Sequence, residues 1–196
     1  MDEIARGPFA LMYPVIARQA MSESGIRDGT CLDIGSGPGQ LAIALASHSD
    51  LDILAVDPSR DVQTIAVTNI RDSGCRGRVQ PVCGDVHQLP VCGGAVDLVV
   101  SRGSIFFWDD PVQALCECYR VLAPGGRTFI GGGFGTPALK EMITRRMREI
   151  DPGWEKKVAE RMQLRDQIPE QMGMAGISDY AIVDDGTGFW IMMEKQ

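Results

Sequence analysis

The stretch Cys31-Leu32-Asp33-Ile34-Gly35-Ser36-Gly37-Pro38-Gly39-Gln40-Leu41 constrains this chain more than any other. A short apolar run ends at a carboxylate, enters a glycine-dense turn and reopens as a helical pattern. A strand that feeds a helix through so tight a turn is the opening unit of a parallel α/β sheet. Glycine tolerates positive φ and lets the backbone lie close against a ligand. The first N–H groups of the helix have no intrahelical partners and suit polar or anionic ligand atoms. Alone, the turn is ambiguous. The dinucleotide fingerprint requires Gly-x-Gly-x-x-Gly. Here Gln40 takes the place of its last glycine and Gly39 comes one residue early. That departure disfavours a nicotinamide or flavin dinucleotide. Asp33 is a better neighbour for a cation than for a pyrophosphate; its other reading is a helix-capping carboxylate.

The same pattern recurs downstream. Residues 51–56 form a second buried strand that closes on Asp57, 22 residues after Gly35. A carboxylate there can accept both hydroxyls of a ribose. Pro58 fixes the turn, and Ser59 is placed to cap a helix over residues 60–73. Val79–Cys83 is a third strand, followed by Gly84-Asp85-Val86-His87. Asp33, Asp57 and Asp85 therefore gather at the carboxyl edge of one sheet, where open α/β folds bind ligands. His87 fits a turn better than a general base.

Residues 96–101 are apolar nearly throughout and read as a central strand, with Arg102-Gly103-Ser104 at its exit. Ile105-Phe106-Phe107-Trp108 then faces the pocket as a cavity wall or packs in the core. Asp109 or Asp110 caps a helix that opens at Pro111 and runs to Leu122. Pro124-Gly125-Gly126 is a tight turn into a fifth strand over 127–130, and Gly131, Gly132 and Gly133 make a flexible exit. Residues 137–165 are helical, broken at Asp151-Pro152-Gly153. Their basic and acidic residues alternate, which describes either a salt-bridged solvated face or a lid that attracts an anion. A short helix over 169–175 precedes two strands, 180–183 and 189–193, flanking Asp184-Asp185-Gly186-Thr187-Gly188. That spacing is a hairpin. At the other end, residues 8–24 read as an amphipathic helix with Leu11, Met12, Val15, Ile16 and Met21 on its apolar face, kinked or restarted at Pro14. Tyr13 either leans over a ligand or packs.

Composition narrows the options further. With 196 residues, 44% hydrophobic and 23% charged, the chain suits one domain with one sizeable core. Its net charge of -7 disfavours sequence-independent binding to nucleic acid. No apolar run reaches the roughly 20 residues that span a bilayer, so no membrane partner is expected. Met1-Asp2-Glu3-Ile4 lacks the basic region and apolar core of a signal peptide, and a cytoplasmic protein is expected. None of the six cysteines forms a Cys-x-x-Cys pair, and Cys31 and Cys83 fall in strands expected to be buried. Reduced core thiols are expected, and no metal site.

Taken in order, these segments resemble the class I S-adenosylmethionine-dependent methyltransferases. Asp33-Ile34-Gly35-Ser36-Gly37-Pro38-Gly39 resembles the first motif of that family, Val56-Asp57-Pro58-Ser59 its ribose-binding acid, and Gly84-Asp85-Val86 the segment beside the adenine. Asp97-Leu98-Val99-Val100-Ser101 resembles the fourth motif, and Tyr119-Arg120-Val121-Leu122-Ala123-Pro124-Gly125-Gly126 the helix-to-strand turn. The resemblance implies a Rossmann-like, doubly wound sheet of seven mostly parallel strands, closed by an antiparallel hairpin, with helices on both faces. It implies one methyltransferase domain over 1–196, with residues 1–29 as a helical cap and 137–167 as a helical lid. The implied cofactor is S-adenosyl-L-methionine, with S-adenosyl-L-homocysteine as product. Gly35 and Gly37 would touch its amino-acid end, with Ser36, Gly39 and Gln40 completing the turn and Asp33 near the ammonium. Asp57 and Pro58 would hold the ribose, Gly84, Asp85 and Val86 the adenine. Ser101, Arg102 and Gly103 would lie along the methionine and open towards the acceptor, and Tyr13 is also counted among the cofactor-binding residues. Catalytic residues stay unassigned; Tyr13, His87 and Asp109 are the candidate bases. A small-molecule acceptor is expected, since no basic groove with interleaved aromatics marks DNA or RNA. A protein or RNA acceptor, a cofactor-binding protein without turnover, and a nicotinamide oxidoreductase are the alternatives.

Overall fold

The computed structural model describes residues 2–184 and 186–196. Asp185, in the turn of the expected hairpin, and Met1 lie outside them. The strands are β1 (Asp28–Ile34), β2 (Asp50–Asp57), β3 (Val79–Cys83), β4 (Val96–Arg102), β5 (Leu122–Gly132), β6 (Tyr180–Asp184) and β7 (Phe189–Met193). They form one seven-stranded sheet in the order β3-β2-β1-β4-β5-β7-β6. Neighbours are parallel except that β7 runs antiparallel to both β5 and β6. The expected mixed sheet and closing hairpin are present. Strand order reverses between β1 and β4, the switch point at whose carboxyl edge open α/β sheets bind ligands.

Alternation along the strands divides the core. Cys31, Leu98, Val100 and Phe129 face α2 (Tyr13–Ser24), α3 (Gln40–Ala46) and α4 (Arg60–Asp72) on one side of the sheet. Leu32, Ile34, Val99 and Ile130 face α5 (Pro111–Val121) and α8 (Ile168–Met174) on the other. Helix starts follow local chemistry: Ser59 Oγ accepts from Val62 N–H, and Asp110, rather than Asp109, caps α5 by accepting from Gln113 N–H.

Several expectations are corrected. The N-terminal helix does not run from residue 8. A short helix α1 (Asp2–Arg6) comes first, Gly7 to Met12 form turns, and α2 starts at Tyr13 with Pro14 in its first turn, where a missing N–H costs nothing. Leu11 consequently stands 62% exposed. Pro124-Gly125-Gly126 does not separate a turn from a strand: β5 already begins at Leu122, and its pairing with β4 shifts register between Val96 and Leu98. Cys83 is exposed because β3 is an edge strand. Gly131, Gly132 and Gly133 are buried and packed, not a flexible exit. A Cβ on Gly131 would lie 2.0 Å from Phe189 O, and one on Gly132 2.7 Å from the Phe106 ring. Their lack of side chains lets β7 and Phe106 approach β5.

Among the described residues, no helix is long and apolar enough to cross a membrane. No cluster of His, Cys, Asp and Glu there could hold a metal ion. The helices α6 (Pro137–Ile150) and α7 (Trp154–Met162), separated at Asp151-Pro152-Gly153, pack beside the carboxyl edge of the sheet.

Candidate active site

A cavity of about 700 Å³ opens over the carboxyl ends of β1, β2 and β4. Asp33, Asp57 and Asp85 all line it, so the three strand-end acids do converge. Their environments differ. Asp33 is 1% exposed and its carboxylate accepts from Ala42 N–H at 3.1 Å, in the first turn of α3. Gly39, at the N-cap of α3, has no side chain for that role, and the carboxylate of the preceding strand takes it over. Asp33 therefore both caps α3 and lines the cavity. Burial pushes the Asp33 carboxyl up to about 7, opposed by the Ala42 N–H and assisted by the charge on Asp57.

Asp57 uses both oxygens on backbone: one accepts from Gly37 N–H at 3.0 Å, the other from Ser59 N–H at 2.9 Å. Each carboxylate oxygen keeps a lone pair for a ligand hydroxyl. Asp85 is exposed and accepts from the backbone N–H of His87 at 2.9 Å and meets its Nδ1 at 2.6 Å. Those bonds hold its carboxyl below the usual range. His87 Nε2 accepts from Asp110 N–H at 3.1 Å. An accepting Nε2 places the proton on Nδ1, which donates to Asp85. Both ring nitrogens of His87 are thus engaged.

Glycine is required where the turns meet. Gly35 has φ 66°, and a Cβ on it would lie 2.2 Å from Ser104 Cβ. Ser104 Oγ reaches Ser101 Oγ at 2.5 Å, donates to Ile34 O at 3.1 Å and accepts from Trp108 Nε1 at 3.2 Å. The exits of β1 and β4 are thereby locked together.

Arg102 forms part of the cavity wall. Its guanidinium sits 4.9 Å from the Phe9 ring centroid and 5.6 Å from that of Phe134. Its hydrogen bonds are two long ones, 3.4 Å each, to Gly133 O, and no carboxylate stands within ion-pair reach among the described residues. Burial lowers its pKa, and the nearby Tyr13 counters this. Burial raises the Tyr13 phenol, with Arg102 opposing and Asp33 assisting. That direction keeps the Tyr13 phenol protonated at neutral pH.

Of the residues expected at the site, Tyr13, Asp33, Gly35, Ser36, Gly37, Asp57, Pro58, Gly84, Asp85, Val86, Arg102 and Gly103 line the cavity. Gly39, Gln40 and Ser101 stand outside its lining. Gly39 holds the left-handed turn at φ 83°, Gln40 is the first residue of α3, and Ser101 is fully buried and bonded to Ser104. Sequence reasoning missed Ile4, Ala5 and Phe9 at the N-terminus, Phe134 beyond β5, and Met147, Ile150 and Trp154 from α6 and α7. The rule of strand-end placement, applied to β5, would have found Phe134. A five-residue helix is too short for periodicity to reveal.

The polar groups fit a nucleoside bearing an amino-acid tail. The acid at the end of β2 is tied to the glycine turn, and the Ser36 hydroxyl is buried with no partner among the described residues. A model of the methyltransferase domain matches residues 32–130. The chain belongs to the class I S-adenosylmethionine-dependent methyltransferases. A crystal structure from Methanococcus maripaludis, assigned to S-adenosyl-L-methionine-dependent methyltransferases, superposes with a TM-score of 0.97 and 43% identity, over 100% of this chain and 90% of that one. The ubiquinone/menaquinone biosynthesis C-methyltransferase UbiE of Marinomonas sp. is 28% identical over 116 residues, 58% of this chain and 46% of the relative. The chloroplastic 2-methyl-6-phytyl-1,4-hydroquinone methyltransferase of Spinacia oleracea is 31% identical, over 54% of this chain and 30% of its own length. The chain spans less than half the length of these two curated relatives. The fold, the family and the cofactor are those of an S-adenosylmethionine-dependent methyltransferase.

Proposed function

We propose that this methyltransferase acts on a small molecule. The observation that carries the reading is the shape of the cavity. Polar groups are concentrated at the ends of β1 and β2, while Phe9, Phe106, Phe134, Met147 and Trp154 wall the space beyond. A volume of about 700 Å³ lies in the range of small-molecule sites, and two covering helices favour a compact acceptor over a nucleic-acid strand. The hydroquinone and quinone methyltransferases named above support an apolar organic acceptor.

When bound, the cofactor supplies an electrophilic methyl group on a sulfonium. The protein's residues hold it and exclude water. Asp57 accepts from the ribose hydroxyls, its position set by Gly37 and Ser59. Asp85, steered by His87, accepts from the adenine amino group, and Val86 packs on the ring. Asp33 would face the ammonium, and the Arg102 guanidinium, which has no carboxylate partner among the described residues, would face the methionine carboxylate; both line the cavity. Gly103 has φ 82° and open space where a Cβ would stand, which leaves the exit of β4 clear for the reacting groups. Helices α6 and α7 act as the lid. Orientation alone can remove roughly 7–11 kcal/mol of barrier, so an acceptor that is already nucleophilic needs no base. The test is incubation of the protein with labelled S-adenosylmethionine and separate pools of small metabolites, RNA and protein. Label is expected in the small-molecule pool; label confined to RNA or protein overturns the assignment.

A further inference from the structure

The acceptor side of the cavity has features that the cofactor does not use. Phe107 is 65% exposed and Ile150 is 56% exposed, yet both line the cavity mouth. Large apolar groups at the rim of a pocket invite an apolar ligand. Arg161 of α7 stacks on Phe107, 4.6 Å from its ring centroid. The other lid cation on the cavity, Lys157, is paired with Asp151 at 2.7 Å. On the outer surface Arg146 pairs with Glu149 and Arg148 with Glu155. Among the described residues no ion pair joins Arg161 to a carboxylate, so its donors are open to a ligand at the cavity mouth. A second, smaller cavity adjoins the first and shares Phe106, Trp108, Lys157 and Arg161 with it. Ile105, Pro111 and Leu164 supply apolar wall there beside the amides of Gln163 and Gln167, and Glu160, also on that wall, is paired with Lys156 at 3.8 Å.

We infer that the acceptor is amphipathic: an aromatic or aliphatic body lies on Phe107 and Ile150 and extends into the side cavity, and an anionic group is held by Arg161. This rests on the small-molecule reading above. A guanidinium held against a ring keeps N–H donors in its own plane for a carboxylate, sulfonate or phosphate. Arg102 is set deeper, between Phe9 and Phe134, and is reserved for the cofactor end.

The experiment compares two fluorescent probes of nearly the same aromatic body on protein saturated with S-adenosylhomocysteine. Anilinonaphthalene sulfonate carries an anion; phenylnaphthylamine does not. Arg161→Gln is expected to weaken the sulfonate about fivefold, the scale of one exposed charge contact, and to leave the neutral probe unchanged. Phe107→Ala is expected to weaken both. Neither change should alter affinity for S-adenosylhomocysteine. Equal sulfonate binding in wild type and Arg161→Gln overturns the anion site, and unchanged binding of both probes in Phe107→Ala overturns the apolar platform. If wild-type protein fails to bind S-adenosylhomocysteine at all, the methyl-transfer reading itself fails, a result separable from either of these.

Discussion

At the scale of the residue, Asp33 is the group with most to test. Its carboxyl is raised to about 7 by burial, from an unfolded value near 4. The folded protein therefore holds this proton more tightly than the unfolded chain. The associated stability is fully present below about pH 4 and is lost as pH rises through about 7. The difference is on the order of 4 kcal/mol. Urea melts of wild type and Asp33→Asn between pH 4 and pH 8 should diverge in that sense, the wild type losing ground as pH rises. Cofactor binding should run the other way. A cationic ammonium prefers the ionised carboxylate, so S-adenosylhomocysteine affinity should climb with pH up to about 7 and then level, and Asp33→Asn should flatten the curve in titration calorimetry. Asp57→Ala removes the acceptor for Gly37 and Ser59 N–H together with the ribose contact, and should weaken binding by a factor of ten or more in the same titration. Wild-type affinity in that variant would count against the ribose assignment. Arg102→Gln should abolish the preference for S-adenosylhomocysteine over its decarboxylated analogue. An unchanged preference would show that the guanidinium serves another anion.

At the scale of the element, the closing strand is held by missing side chains. A Cβ on Gly131 would stand 2.0 Å from Phe189 O, and one on Gly188 would stand 1.8 Å from Gly132 O. Neither neighbour is a flexible side-chain end, so accommodation requires β5 and β7 to separate. Gly131→Ala should cost about 2 kcal/mol or more of stability in chemical denaturation, well beyond the usual propensity effect. A value within about 0.5 kcal/mol of wild type would show that the two strands have slack. The pairing also carries Trp190, stacked on Phe129 at 4.1 Å, and Phe189, edge-on to Phe106 at 6.0 Å. Loosening β7 therefore reaches the aromatic wall of the cavity through Phe106.

At the scale of the whole molecule, the cavity joins parts distant in sequence: the N-terminal turn at Phe9, the exits of β1, β2 and β4, and the stretch of α6 and α7 from Met147 to Met162. Asn69 Nδ2 donates both to Asp2 Oδ1 at 2.9 Å and to Pro38 O at 3.0 Å, tying the first helix to the glycine turn. A ligand that bridges these parts should stabilise all of them together. At a hundredfold excess over its dissociation constant, S-adenosylhomocysteine should add about 2.7 kcal/mol. Differential scanning fluorimetry should show this as a rise in Tm of roughly 5–10 °C. A reduced nicotinamide dinucleotide should produce no shift, because Gln40 interrupts its fingerprint; a shift with that ligand instead would favour the oxidoreductase alternative.

The succession of strands and helices along the chain, the three acids at strand ends and the need for glycine at Gly35 and Gly37 were written locally. Alternation and turn chemistry operate over a few residues, and successive βα units repeat one geometry. Tertiary structure decided what depends on contacts between remote segments. Gly131 to Gly133 read as a hinge until the packing of Phe189, Phe106 and Trp190 against them was known. Cys83 read as core until β3 took the edge of the sheet. Arg102 and Arg161 were two arginines among many in the sequence. Only folding placed one between two phenylalanine rings and the other over a third, because a side chain's partners and its distance from water are properties of the assembled molecule.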